Sequence, residues 1–317
     1  MIIPATPENI SLAARRLRTG QLVAFPTETV YGLGADATLS KSVAAIFSAK
    51  NRPEFNPLII HVPDMEIAVR LGEFNELAQE LGDTFWPGPL SIVVNRQLDC
   101  PVSLLASAGL NTLAIRVPAH DTAQAILRSV ARPIAAPSAN MSGKISPTTA
   151  SHVGESIGKT VDLIVDAGAC SVGVESTVVD CTSNVPIILR PGGITAEQIE
   201  KVVGRVETTD IGSKNPRSPG MLASHYAPDA AIRLNAISVS AEEALLAFGP
   251  QIIRGASIER NLSAAGDFEE AAANLFSMLR ALDSVSGRIA VMPIPDQGLG
   301  RAINDRLLRA AAPRTSV

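Results

Sequence analysis

Lys50-Asn51-Arg52 places two cations two residues apart at the end of a helical stretch. Arg116 sits inside the apolar run Leu113-Ala114-Ile115-Arg116-Val117, and Arg190 ends another aliphatic run. A guanidinium stays protonated at physiological pH, so Arg116 needs either a wet strand edge or an anion to pair with. Hydroxyl and amide groups gather where apolar runs stop. Thr27 and Thr29 follow Phe25-Pro26, Ser138 and Asn140 follow Ala135-Ala136-Pro137, Ser146 lies just beyond, and Ser176 precedes Thr177-Val178-Val179. Cations mixed with hydroxyls and exposed backbone N–H groups suit a small ligand rich in phosphate or carboxylate. They stabilise charge as it develops on oxygen. No carboxylate pair suited to general acid–base work stands out. Two of these features also have plainer explanations: Lys50 and Arg52 complement a helix C-terminal dipole, and His61, inside Leu58-Ile59-Ile60-His61-Val62, is a satisfied core histidine.

Short aliphatic runs alternating with helical spacing must position these groups. Helical patterns cover residues 10–18, closed by Gly20, then 42–49, 66–81 and 122–130. Strand patterns cover 22–25, 58–62, 90–95, 112–117, 134–136, 163–166, 177–181 and 187–190. Thr195 and Gln198 form a capping-box pair that opens a helix to about Val203. This alternation is that of an α/β layer fold with a mixed sheet, and ligands in open α/β sheets bind at strand ends. From Glu207 the pattern dissolves into turn formers with no apolar period. A second α/β unit then begins with a strand at Ile232 and Leu234. A helix over 241–248, an amphipathic helix over 267–282, a strand over 288–292 and a final helix over 301–310 complete it. The expected division is 1–206, a linker at 207–229, and 230–317.

Composition narrows the function. Of 317 residues, 46% are hydrophobic and 18% charged, which supports a buried core, and only 3% are aromatic, so that core is aliphatic. The net charge of −4 argues against a polyanion-gripping face. Three scattered cysteines with no CxxC exclude a disulfide scaffold or zinc cage. No leader-like or membrane-spanning stretch is visible, which makes the cytoplasm the expected location. Gly158-Lys159-Thr160 fails as a phosphate-binding loop, because the position five residues earlier is Val153. Gly298-Leu299-Gly300 fails as a dinucleotide loop, because the third glycine position is Ile303. The four histidines offer no metal-ligand spacing.

Lys50-Asn51-Arg52 with Ser138-Ala139-Asn140 resembles the KxR…SxN pattern of the YrdC-like family. The PTETVYGLG, WPGPL, APSAN, GVEST and LRPGG segments resemble it too. The Ser218-Pro219-Gly220-Met221 and His225-Tyr226-Ala227-Pro228 segments, with GLGRAINDR near the end, are similar to the family's longer, two-domain form. The resemblance implies a YrdC-like twisted mixed sheet with flanking helices, plus a smaller Rossmann-like α/β domain. It also implies a reaction, in which L-threonine, bicarbonate or CO2, and ATP give threonylcarbamoyl-AMP and pyrophosphate. The product passes to a separate tRNA threonylcarbamoyl transferase, so strong nucleic-acid binding is not expected.

On the same basis Lys50, Arg52, Ser138 and Asn140 are the expected catalytic set. Asn56, Thr112, Ser146, Arg190, His225 and Tyr226 join them around ATP. Thr27, Thr29, His61, Arg116, Ala136 (through its backbone) and Ser176 are expected around threonine and its carbamate. Mg2+ accompanies the triphosphate, held mainly by phosphates and water. Residues 218–228 are expected to fold over the site as a lid. The competing readings are an RNA-binding module, a carbamoyltransferase-type YrdC domain and an inactive ATP binder.

Overall fold

Aliphatic runs bounded by turn formers become strands. In this computed structural model, which describes residues 1–209 and 225–313, they assemble into two sheets. Residues 218–224 of the expected lid lie outside the described residues. Twelve strands build the larger sheet, in the order Ile2–Pro4, Leu163–Asp166, Val23–Pro26, Tyr31–Asp36, Ile134–Ala135, Ile59–His61, Thr112–Arg116, Leu90–Arg96, Thr177–Asp180, Ile187–Arg190, Glu207–Thr208. Gly72–Glu73 pairs beside Leu90–Arg96. Parallel and antiparallel pairs alternate irregularly, as a mixed sheet requires. One face is covered by helices around a large aliphatic core that includes Leu33, Ile46, Ile60, Ile92 and Ile115. Successive side chains along a strand point to opposite faces, so their immediate neighbours point the other way. There Ile59, Val93, Ala114, Val178 and Leu189 form a small separate apolar floor. In the same register Ile59 faces Ala114, and His61 faces Arg116 at the end of that floor.

The second sheet is parallel throughout, in the order Ala231–Arg233, Arg288–Val291, Ala244–Ala247, Ile258–Asn261. Helices Phe268–Asp283 and Leu299–Ala311 cover it. Their buried Leu275, Phe276, Leu279 and Leu307 share one cluster with Val30, Ile145 and Val174 of the first unit. The two units therefore bury apolar surface against each other.

Several elements differ from the sequence expectation. Residues 241–248 were expected to be helical, but Ala244–Ala247 is a strand, fully buried and paired on both sides. Ala-Leu-Leu-Ala has no β-branched residue to signal a strand, and its central place in the sheet overrides its helical preference. The helix expected over 66–81 divides into Met65–Leu71 and Glu76–Phe85. Gly72 breaks it, because a Cβ there would lie 2.3 Å from Val94 Cγ2 as the chain pairs with Leu90–Arg96. Tyr31–Asp36 is a fully buried strand absent from the expected strand patterns. Ala150–Ile157 is a helix and Ile258–Asn261 a strand, neither of which the sequence pattern revealed.

Gly173 marks where the units touch. Its φ is +76°, and a Cβ there would lie 2.4 Å from both Ala272 O and Ala273 Cα of helix Phe268–Asp283. Gly173→Ala is expected to destabilise the protein by about 1–3 kcal/mol, from backbone strain plus a forced gap between the units. An unchanged thermal unfolding midpoint would show that the interface tolerates the gap.

Candidate active site

Helix Ser40–Lys50 ends at Asn51, whose left-handed conformation (φ 48°) turns the chain so that Lys50 and Arg52 both point inward. Lys50 Nζ donates to Ser138 O at 2.5 Å and also to Asn140 O, so it clamps the turn that carries both residues. Arg52 donates through Nε to Asn56 O at 3.2 Å and through Nη2 to Pro57 O at 2.9 Å. Asn140 Nδ2 is held by Met141 O and Lys144 O, at 2.9 and 2.7 Å.

Across the apolar floor, Arg116 projects from the end of its strand. Nη1 donates to Thr29 Oγ1 at 2.9 Å, Nη2 to Glu28 Oε1 at 2.6 Å, and Nε to Gly88 O at 3.3 Å. Gly88 can occupy its place because it lacks a Cβ, which would otherwise lie 2.1 Å from Phe85 O. Thr27 Oγ1 bonds Thr29 Oγ1 at 2.8 Å and donates to Val30 O at 2.7 Å. His61 Nδ1 lies 3.3 Å from Ile59 O. The Ala136 N–H is already committed to Ile59 O at 3.0 Å, which leaves only its carbonyl for a ligand.

Arg190 and Ser176 meet at the neighbouring strand ends. Arg190 Nη2 donates to Ser176 O at 2.8 Å and to Ser176 Oγ at 3.1 Å, and Ser176 Oγ lies 2.8 Å from Ser91 Oγ. Gly192 permits this closeness, since a Cβ there would fall 2.3 Å from Glu175 O. Ser146 Oγ donates to Glu175 Oε1 at 2.5 Å. Arg306, fully buried on the C-terminal helix, reaches across the unit boundary to Glu175 Oε2 at 2.9 Å and to Pro191 O at 2.7 Å.

These groups surround one hollow of about 40 Å³. Thr27, Thr29, Arg52, His61, Arg116, Ala136, Ser138, Ser176, Arg190, His225 and Tyr226 line it, with Glu175 between its two ends. That is far below the roughly 300–1,000 Å³ of small-molecule pockets, and the buried His225 and Tyr226 are part of its lining. Tyr226 stacks on Phe276, with ring centroids 5.6 Å apart, and lies under the Arg306 guanidinium at 5.3 Å. Lys50, Asn140 and Ser146 stand one layer behind the lining. Thr112 does not join them. It starts the strand that Arg116 ends, roughly 13 Å away at about 3.3 Å per residue. A larger cavity of about 310 Å³ beside Thr209, Arg301 and Arg309 is lined by none of the expected site residues.

Electrostatics and unmet hydrogen bonds both point to an anionic ligand. Burial, reinforced by Arg52, holds Lys50 well below the usual lysine range, and burial pushes Arg52 down to about 9. Burial would raise Glu175, but Arg306 and Arg190 outweigh it and hold the carboxyl below its ordinary value. Buried Asn56 Nδ2 and Oδ1, Asn140 Oδ1, His225 Nδ1 and Arg306 Nη2 have no hydrogen-bond partner among the described residues. Each such group costs about 1–3 kcal/mol when left unmet, so a cluster of them signals a site shaped for something polar. Glu28, Ser91, Glu175 and Arg306 were missed as site residues. Glu28 and Glu175 fall inside motifs that had been recognised, but only the fold shows which cations they face.

Two family models together span most of the chain. Residues 15–192 match a family model described as "Telomere recombination", the Sua5–YciO–YrdC group. Residues 194–312 match one described as "Threonylcarbamoyl-AMP synthase, C-terminal domain". The chain is 41% identical to a threonylcarbamoyl-AMP synthase of Bacillus subtilis, over 96% of this chain and 93% of that one. It is also 41% identical to the Pyrococcus abyssi protein of the same name, over 96% and 94%. The crystal structure of P. abyssi Sua5 complexed with L-threonine superposes with a TM-score of 0.91, at 38% identity, covering 98% of this chain and 97% of that one.

Burial holds His61 and His225 down at about 3, with Arg116 adding to it for His61, and Arg52 and Lys50 for His225. Both titrate near 6.5 when unfolded, so the unfolded chain binds more protons between those values. Stability is therefore expected to fall as pH drops from about 6.5 towards 3. In urea titrations across that range, His61→Asn with His225→Asn should flatten the slope. An unaltered slope would mean the imidazoles are not the acid-sensitive groups.

Proposed function

The chain belongs to the threonylcarbamoyl-AMP synthase family, and on that premise we propose that it condenses L-threonine, bicarbonate or CO2, and ATP into threonylcarbamoyl-AMP and pyrophosphate. In this reading it is a nucleotidyltransferase acting in the cytoplasm, and its product goes to a separate transferase that modifies tRNA. No helix among the described residues is long and apolar enough to cross a membrane.

One observation carries the reading. A single hollow is lined both by Arg116, Thr29 and His61, groups that suit a carboxylate, and by Arg52, Arg190 and Ser138, groups that suit phosphate. A carbamate is already anionic at neutral pH, so its attack on the α-phosphate needs no strong base. The remaining work is alignment, plus stabilisation of charge on phosphate oxygens. Lys50 does this indirectly, by bracing the turn that presents Ser138 and Asn140, while Arg52 and Arg190 supply positive charge directly. A divalent ion carried by the triphosphate would neutralise further charge. Glu175 is already committed to Arg306 and Ser146, which fits an ion held by phosphates and water.

A nucleotide needs far more room than about 40 Å³, because small-molecule pockets run to roughly 300–1,000 Å³. In this reading His225 and Tyr226 withdraw to admit ATP, then return to shield a labile intermediate from water. Ending the chain after Gly212 is a poor test, since it would expose Val30, Ile145 and Val174. His225→Ala with Tyr226→Ala keeps the second unit and most of that interface, removing only Tyr226 from the shared cluster. It is expected to shorten the lifetime of threonylcarbamoyl-AMP on the protein, and an unchanged lifetime would remove the lid from the reading.

Lys50→Ala and Arg52→Ala are each expected to lower threonine-dependent pyrophosphate release by about 100-fold or more. Pyrophosphate release that does not depend on threonine would overturn the assignment.

A further inference from the structure

One hydroxyl in the apolar floor serves only its neighbour. Along Leu90–Arg96, the side chains of Leu90, Ile92 and Val94 enter the large core, while Val93 belongs to the floor. Alternation places Ser91 on the floor's face, where its strand partner is Val178, another floor residue. Ser91 is fully buried among these aliphatic side chains, where a hydroxyl is unfavourable unless bonded. Alanine would fill the place nearly as well. Among the described residues the Ser91 hydroxyl has one hydrogen-bond partner, Ser176 Oγ at 2.8 Å.

The direction of that bond follows from what else each oxygen can do. A hydroxyl gives one hydrogen and accepts up to two. Ser176 Oγ already accepts from Arg190 Nη2 at 3.1 Å. Were Ser176 to donate to Ser91, the Ser91 hydrogen would be buried with no acceptor among the described residues, an unfavourable arrangement. With Ser91 donating, Ser176 Oγ receives two hydrogen bonds and its acceptor sites are full. Its own hydrogen is then left for the hollow, which Ser176 lines and Ser91 does not.

We propose that Ser91 is a positioning residue, whose hydroxyl donates to Ser176 Oγ and, together with Arg190, turns Ser176 into a fixed donor toward an anionic oxygen of the threonine-derived substrate. This rests on threonine being a substrate. A serine hydroxyl left free to rotate would donate or accept with equal ease. Two incoming hydrogen bonds fix its direction before the ligand arrives, and they polarise the Ser176 O–H toward a negative acceptor.

The test measures threonine-dependent pyrophosphate release by the full chain. Ser91→Ala, Ser176→Ala and the two combined form a double-mutant cycle, with Ser91→Thr beside it. Ser91→Ala is expected to lower kcat/KM for threonine about three- to tenfold, with the KM for ATP unchanged. Ser91→Thr, which keeps the hydroxyl, should retain most of the activity. In the Ser176→Ala background, Ser91→Ala should have no further effect, because the donor it positions is gone. Equal losses in both backgrounds would show that Ser91 acts by packing, and would overturn the proposal. So would a Ser91→Ala protein with wild-type kcat/KM, or a Ser91→Thr protein as impaired as Ser91→Ala. A wild-type protein with no threonine-dependent release would sink the enzymatic reading and this inference with it, and that result is obtained before any variant is compared.

Discussion

Positive charge buried against backbone carbonyls is the constraint on which the site depends. Lys50 is held by Ser138 O and Asn140 O, and Arg52 by Asn56 O and Pro57 O. Carbonyl dipoles fix a cation in position without cancelling its charge. A carboxylate would do both. Among the described residues neither cation has an ion pair, and the desolvation this entails is why both groups sit below their ordinary pKa. A site prepared this way is costly when empty and favourable when a polyphosphate arrives, which is the differential that binding and catalysis require.

Two further buried arginines follow a different rule. Arg116 is matched by Glu28, and Arg306 by Glu175 and Asp305. Full pairing suits Arg306 because its task is mechanical. It ties the C-terminal helix to the loop carrying Glu175 and Ser176, and it backs the ring of Tyr226. The second unit thus contributes directly to the shape of the hollow. Its helix Phe268–Asp283 presses on Gly173 three residues before Ser176, and its core is continuous with Val30, Ile145 and Val174. Breaking one such pair by truncation leaves the remaining charge buried and unmatched, usually a larger penalty than the pair's own net contribution.

Much of this was legible along the chain. The aliphatic runs at 58–62, 112–117, 163–166 and 187–190 appear as strands because a buried strand excludes polar side chains locally. The capping box at Thr195 and Gln198 forms as expected because all its atoms lie within one turn. The strand at 244–247 was not legible, since Ala and Leu are strong helix formers and only pairing with neighbours on both sides makes them a strand. Thr112 shows the same limit within the site. Its residue type suits a ligand, but its position at the opposite end of the strand from Arg116 depends on direction and register.

By itself, the sequence determined which short segments end in cations, hydroxyls and amides, and that those groups call for an anionic ligand, because side-chain chemistry and hydrophobic periodicity are local properties. The tertiary structure alone decided which of them share a hollow, that Glu28 and Arg306 belong with them, and that His225 and Tyr226 occupy the space next to Arg52 and Arg190. Those outcomes depend on contacts between residues 88 and 131 positions apart, and such contacts are set by strand register and interdomain packing, which no local pattern encodes.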